Sequence, residues 1–150
     1  MEKDEYFMTA ALEAAKNAGR HDEIPVGAVL VKADAIIATA HNCPISENDP
    51  TAHAEVMALR NGGKKLGNYR LLDTTLYVTI EPCIMCMGAI LHARIKRLVF
   101  GAFDPKAGAA GSMIDLTAGK KLNHTIEIKS GVLEADCRAL MQDFFKEKRT

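Results

Sequence analysis

The spacing of apolar and polar positions divides the chain into alternating helices and strands. Residues 4 to 18 are Ala-rich with Leu12 and its neighbours at helical spacing, and Gly19 ends this first helix. Ile24 to Val31 and Ile36 to Ala40 are β-rich and flank a turn at Lys32-Ala33-Asp34, which predicts a hairpin. A second helix is predicted over about 52–61, stopping at Gly62-Gly63. Leu76 to Ile80 forms a third strand that runs straight into a helix over about 83–93, and Arg97 to Gly101 forms a fourth. A strand, helix, strand succession implies a right-handed parallel unit. After a loop from Ala102 to about Ser112, Ile126 to Lys129 reads as the last strand and Leu133 to Lys148 as a long helix. No internal repeat or linker interrupts the series, and 150 residues suit one domain spanning 1–150.

One segment breaks the amphipathic rule. Ile84-Met85-Cys86-Met87-Gly88-Ala89-Ile90-Leu91 is apolar on every side of its helix, so every side should be covered. Either part of it faces a second subunit, giving a homodimer, or it is sandwiched between the sheet and its neighbours.

Composition adds limits. A hydrophobic fraction of 48% with 25% charge is ordinary for a globular protein, and no apolar run approaches a membrane span. Met1-Glu2-Lys3-Asp4-Glu5 is acidic and lacks the basic and apolar regions of a signal peptide, so a cytoplasmic location is expected. Four cysteines, two of them closely spaced, fit metal binding in a reducing compartment better than a disulfide framework. The net charge is zero, yet residues 1–60 carry five basic and ten acidic side chains and residues 61–150 fourteen and nine. A polyanion should therefore meet the second part.

The chemistry concentrates in His53-Ala54-Glu55 and Pro82-Cys83-Ile84-Met85-Cys86. Cys83 and Cys86 stand three apart and share a face if they lie on one helix. Pro82 suits the first helical position, which would put Cys83 in the first turn, where the dipole and free amides favour a thiolate. Thr51 or Asp49 could cap a helix beginning near Pro50, with His53 and Glu55 close to its start. Residues two apart point away from each other on a helix, so His53 and Glu55 converge only on a site beyond the helix end. A zinc ion held by one imidazole and two thiolates keeps its fourth position for water, and Glu55 is then a proton carrier rather than a ligand.

These strings, read as Thr51-Ala52-His53-Ala54-Glu55 and Glu81-Pro82-Cys83-Ile84-Met85-Cys86, resemble the zinc-dependent nucleobase deaminases of the cytidine and deoxycytidylate deaminase superfamily. Pro25-Val26-Gly27-Ala28-Val29, His41-Asn42, Tyr69-Arg70-Leu71, Thr75-Leu76-Tyr77-Val78-Thr79, Gly101-Ala102-Phe103-Asp104-Pro105-Lys106, Gly111-Ser112, Leu122-Asn123-His124 and Phe144-Phe145 resemble its tRNA-specific branch. The resemblance implies an α/β, cytidine-deaminase-like three-layer α-β-α sandwich with a five-stranded mixed sheet, assembled as a homodimer. It implies conversion of adenosine to inosine at the anticodon wobble position of tRNA, with one Zn2+ per subunit on His53, Cys83 and Cys86 and with Glu55 shuttling protons. Asn42 would hydrogen-bond the flipped nucleotide, and the Ala54 backbone would help hold the base. Asp104 and Lys106 would lie in a loop that meets the anticodon stem-loop, and Phe145 and Arg149 would contact neighbouring nucleotides. Met87 stands where the family carries a smaller Ala, and Cys43 after Asn42 is a small apolar filler.

Other readings compete. The metal strings also fit a deaminase of free guanine, cytosine or cytidine. Readings of another class are a redox dithiol, or a binding module whose structural zinc takes His41, His92 or Cys43 as fourth ligand. Without the resemblance, Phe144-Phe145 reads as core packing of the last helix. Gly101 to Gly111 is glycine-rich, but no Gly-Lys-Ser/Thr follows, which argues against a phosphate loop.

Overall fold

In the computed structural model, which describes residues 2–118 and 124–148, five strands form one mixed sheet in the order β2-β1-β3-β4-β5. Along the chain the elements are α1 (Lys3–Arg20), β1 (Gly27–Lys32), β2 (Ala35–His41), α2 (Pro44–Glu47), α3 (Ala54–Leu66), β3 (Thr74–Ile80), α4 (Ile84–His92), β4 (Arg97–Ala102), β5 (Glu127–Lys129) and α5 (Glu134–Lys148). β1 runs antiparallel to β2 and β3, while β3, β4 and β5 run parallel.

Strand side chains alternate between two cores. Ala28, Leu30, Leu76, Val78, Leu98 and Phe100 pack on one face with Ala54 and Ala58 of α3 and Met87 and Ile90 of α4. Val29, Val31, Tyr77 and Val99 pack on the other with Phe7, Met8 and Ala11 of α1 and Cys137 of α5. Covering both faces explains why β1, β3 and β4 read as nearly continuous apolar runs. The result is the expected three-layer sandwich. Met87, the large residue beside the second thiol, is fully buried in the first core.

Several expectations need correction. The helix expected to stop at Gly62-Gly63 continues to Leu66 and ends at Gly67, whose φ of 67° gives the left-handed cap. Gly62 is there for close approach: a Cβ at this position would stand 2.4 Å from Leu30 Cδ2. Neither Thr51 nor Asp49 caps this helix, because it begins at Ala54 with His53 as its N-cap residue. Pro82 is not its helix's first residue either; α4 begins at Ile84, with Cys83 at the N-cap. The short helix α2 was not predicted. Its amides at Ile45 and Ser46 donate to the buried Glu23 carboxylate at 3.2 and 2.8 Å.

Within one chain α4 is not covered on every side. Cys86, Met87, Ile90 and Leu91 are buried, but Ile84 is 56% exposed. Among the described residues no helix is long and apolar enough to cross a membrane.

Candidate active site

Two helix starts meet at one point. His53 and Cys83 each sit in extended backbone immediately before a helix, and Cys86 follows in the first turn of α4. The approach to His53 is a tight turn in which Asp49 Oδ1 accepts the Thr51 N–H at 2.8 Å and its hydroxyl at 2.7 Å. His53 Nδ1 lies 3.7 Å from Cys83 Sγ and 3.5 Å from Cys86 Sγ.

Those separations test the metal directly. Tetrahedral zinc with bonds of about 2.3 Å to sulfur and about 2.0 Å to nitrogen holds such ligand atoms about 3.5 Å apart. The three side chains fit the ion with little movement. Among the described residues they are the one His, Cys, Asp and Glu group close enough to share a metal ion, with no fourth protein ligand among them. His41, His92 and Cys43 therefore do not close the site. His21, His41 and His124 instead pair with the backbone carbonyls of Asn17, Asn42 and Ile95.

Electrostatics separates the roles further. The Cys86 thiol donates to Cys83 and pulls the Cys83 thiol down to about 5, while the same bond and burial push Cys86 up. A dication held by His53, Cys83 and Cys86 would displace that shared proton and keep both sulfurs as thiolates. Glu55, the second residue of α3, is 3% exposed, and burial lifts its carboxyl to about 7. An acid poised there can both accept and donate a proton at neutral pH.

The site opens into a cleft of about 730 Å³. His53, Cys83, Glu55, Asn42, Asp104, Lys106 and Phe145 all line it. Cys86 is fully buried beside them, and Ala54 is buried at the helix start. The Ala54 N–H, expected to help hold a base, donates to Asn42 Oδ1 at 3.0 Å. The Asn42 NH2 is the end left for a ligand. Phe145 is 42% exposed and stands edge-to-face with Phe144 at 5.4 Å, so it is not simply core packing. Arg149 and the Leu122-Asn123 pair lie outside the described residues.

The cleft also contains residues that sequence reasoning gave no role. Ile24, Val26 and Ile80 supply apolar wall, and Met141 and Gln142 come from α5 beside Phe145. Glu81 is 2% exposed and lines the cleft next to the ligand segment. An acid directly before Pro-Cys-x-x-Cys was the signal that could have found it.

Comparison with known proteins agrees with this geometry. A sequence profile of the cytidine and deoxycytidylate deaminase zinc-binding region matches residues 1–102. The tRNA-specific adenosine deaminase of Haemophilus influenzae is 56% identical over 99% of this chain and 86% of its own length. A solved structure from studies of A-to-I editing by tRNA:A34 deaminases at the wobble position of transfer RNA superposes with a TM-score of 0.87 at 43% identity, covering 90% of this chain and 98% of that one. The X-ray structure of guanine deaminase from Bacillus subtilis has a TM-score of 0.64 at 36% identity, covering 77% and 85%. The chain belongs to the cytidine and deoxycytidylate deaminase zinc-binding family, among the relatives of the tRNA-specific adenosine deaminases.

Proposed function

We propose that this protein hydrolyses adenosine to inosine and ammonia at the anticodon wobble position of tRNA, as a cytoplasmic homodimer with one zinc ion per subunit. The observation that carries the reading is the three-ligand site of His53, Cys83 and Cys86 with buried Glu55 beside it, in a cleft that also takes in Lys106, Lys148 and Phe145.

Zinc held by His53, Cys83 and Cys86 would make a bound water acidic enough to lose a proton near neutral pH. Glu55 accepts a proton from the attacking water and delivers it to the purine ring nitrogen. It then accepts the remaining proton of the added hydroxyl and delivers it to the amine, which departs as ammonia when the C–N bond breaks and the carbonyl forms. Asn42, its oxygen fixed by Ala54, offers its NH2 to the nucleotide. Lys106 and Lys148 suit phosphates, and exposed Phe145 suits a stacked neighbouring base. Arg149 extends that basic tail in sequence. The homodimer reading is supported by Ile84 on α4 and by the exposed side chains Tyr69 and Leu72. A tRNA substrate supports a cytoplasmic location.

The likeness to a guanine deaminase favours one alternative, a free-base substrate on the same fold. Incubation with an anticodon stem-loop, adenosine, cytidine and guanine, followed by mass spectrometry, separates the two. Inosine at the wobble position is the expected product. Rapid deamination of guanine with the RNA untouched would overturn the proposal.

A further inference from the structure

We propose that Glu81 is a positioning residue that fixes the substrate loop 104–112 to the metal-ligand segment, so that Asp104 and Lys106 are held for RNA by the same residues that carry Cys83. The inference rests on the RNA reading above.

Its basis is an unusually complete set of bonds. Glu81 Oε1 accepts the Asp104 N–H at 3.0 Å and the Ser112 hydroxyl, and Oε2 accepts the Ala110 and Ser112 N–H groups, each at 3.0 Å. Adjacent Pro82 accepts the Ala109 N–H on its carbonyl at 2.8 Å. Two consecutive residues immediately before Cys83 thus bind the loop's amides at 104, 109, 110 and 112. Asp104 passes the order on, since its Oδ1 accepts the Lys106 and Ala107 N–H groups at 3.1 and 3.2 Å.

Every partner of the carboxylate is a donor, an arrangement that a carboxylate satisfies and an amide cannot. Substitution by Gln would point an NH2 at one set of N–H groups and leave part-buried donors unpaired beside a buried side chain. The loop is shaped around the same group. At Gly108 a Cβ would stand 2.3 Å from the Glu81 carboxyl carbon, so only glycine lets the loop close over it. Glu81 contacts the recognition loop rather than the reacting atoms, and its loss should weaken substrate binding more than turnover.

The test uses the zinc-loaded full chain and two variants that attack the contact from opposite sides, Glu81→Gln and Gly108→Ala. Steady-state kinetics on an anticodon stem-loop, zinc content per chain and amide hydrogen exchange are measured together. Both variants are expected to keep full zinc, raise KM about tenfold with kcat changed less than about threefold, and speed exchange at Asp104, Ala110 and Ser112 about tenfold or more. Unchanged KM and unchanged exchange in both variants would overturn the proposal. So would loss of zinc with a parallel fall in kcat, which would make Glu81 a support of the metal site instead. A wild-type chain that binds zinc but leaves the stem-loop untouched would contradict the RNA reading, and the exchange rates would still decide whether Glu81 anchors the loop.

Discussion

Asn42 Oδ1 and the Ala54 amide are joined at 3.0 Å, which ties the end of β2 to the residue between His53, one of the three side chains arranged to hold a metal, and the buried Glu55. Both partners are buried, so the bond sets the amide's orientation in the cleft. Asn42→Ala leaves the Ala54 N–H without its acceptor, which should cost about 1–3 kcal/mol of stability. Urea titration checks that loss. Zinc content should stay at wild-type level while activity on RNA falls, because Asn42 is proposed to contact the nucleotide and is not among the side chains arranged to hold a metal.

Removing the metal should stop the reaction reversibly. Both sulfurs must be thiolates to hold zinc, so affinity should fall as pH drops and protons compete for Cys83 and Cys86. Chelation of the protein is expected to abolish inosine formation, with stoichiometric zinc restoring it. A protein cycling between dithiol and disulfide would instead respond to oxidant and keep its function without metal.

In the first turn of α1 lies a second charged group, whose role is stability. Asp4 is buried and accepts from both terminal guanidinium nitrogens of Arg97 at 2.8 and 2.7 Å, the Tyr77 hydroxyl at 2.7 Å and Lys129 at 2.9 Å. Arg97, the dominant partner, holds the Asp4 carboxyl well below its ordinary 3.8. A carboxyl depressed by folding stabilises the native state above its unfolded value and loses that contribution as pH falls toward the folded one. Asp4→Asn should therefore destabilise by about 3 kcal/mol near pH 7, with the gap to wild type closing below about pH 4. Thermal melts across pH 2–7 read it out, and a gap independent of pH would contradict the assignment.

The paired glycines separate two meanings of one residue type. Gly62→Ala places its Cβ against buried Leu30, whereas at Gly63 the nearest atom is Asn68 O at 3.4 Å. Overpacking at Gly62 should cost about 1–3 kcal/mol and outweigh a helix-propensity gain of about 1 kcal/mol. Gly63→Ala should be neutral or stabilising by up to about 1 kcal/mol. Chemical denaturation of the two variants gives the sign of each.

That pair also shows where sequence reading reached its limit. Gly62-Gly63 looked like a stop because local propensity is all a sequence displays, while the need for a small residue came from Leu30 on a strand over thirty positions earlier. His53, Glu55, Cys83 and Cys86 were legible because metal chemistry fixes both residue type and close spacing. The parallel β3-α4-β4 unit was legible through its apolar runs. Pro82 was placed two positions too far into its helix, since Cys83 takes the N-cap position and Ile84 the first helical one. Glu81 was quoted in a motif without a role because its partners at 104, 110 and 112 lie over twenty residues away. The cleft could not be drawn beforehand for the same reason: Val26, Asn42, Ile80 and Gln142 meet only after the sheet and α5 have packed.

The central claim is that Glu55 moves protons beside a metal that three other residues hold. Glu55→Ala, measured for zinc content and for inosine formed in an anticodon stem-loop on the same sample, tests it most directly. The account predicts one zinc per chain and activity reduced by about 10²–10⁴-fold or more. Loss of zinc in step with activity would make Glu55 a ligand, and retention of full activity would remove it from the chemistry; either result would contradict the account.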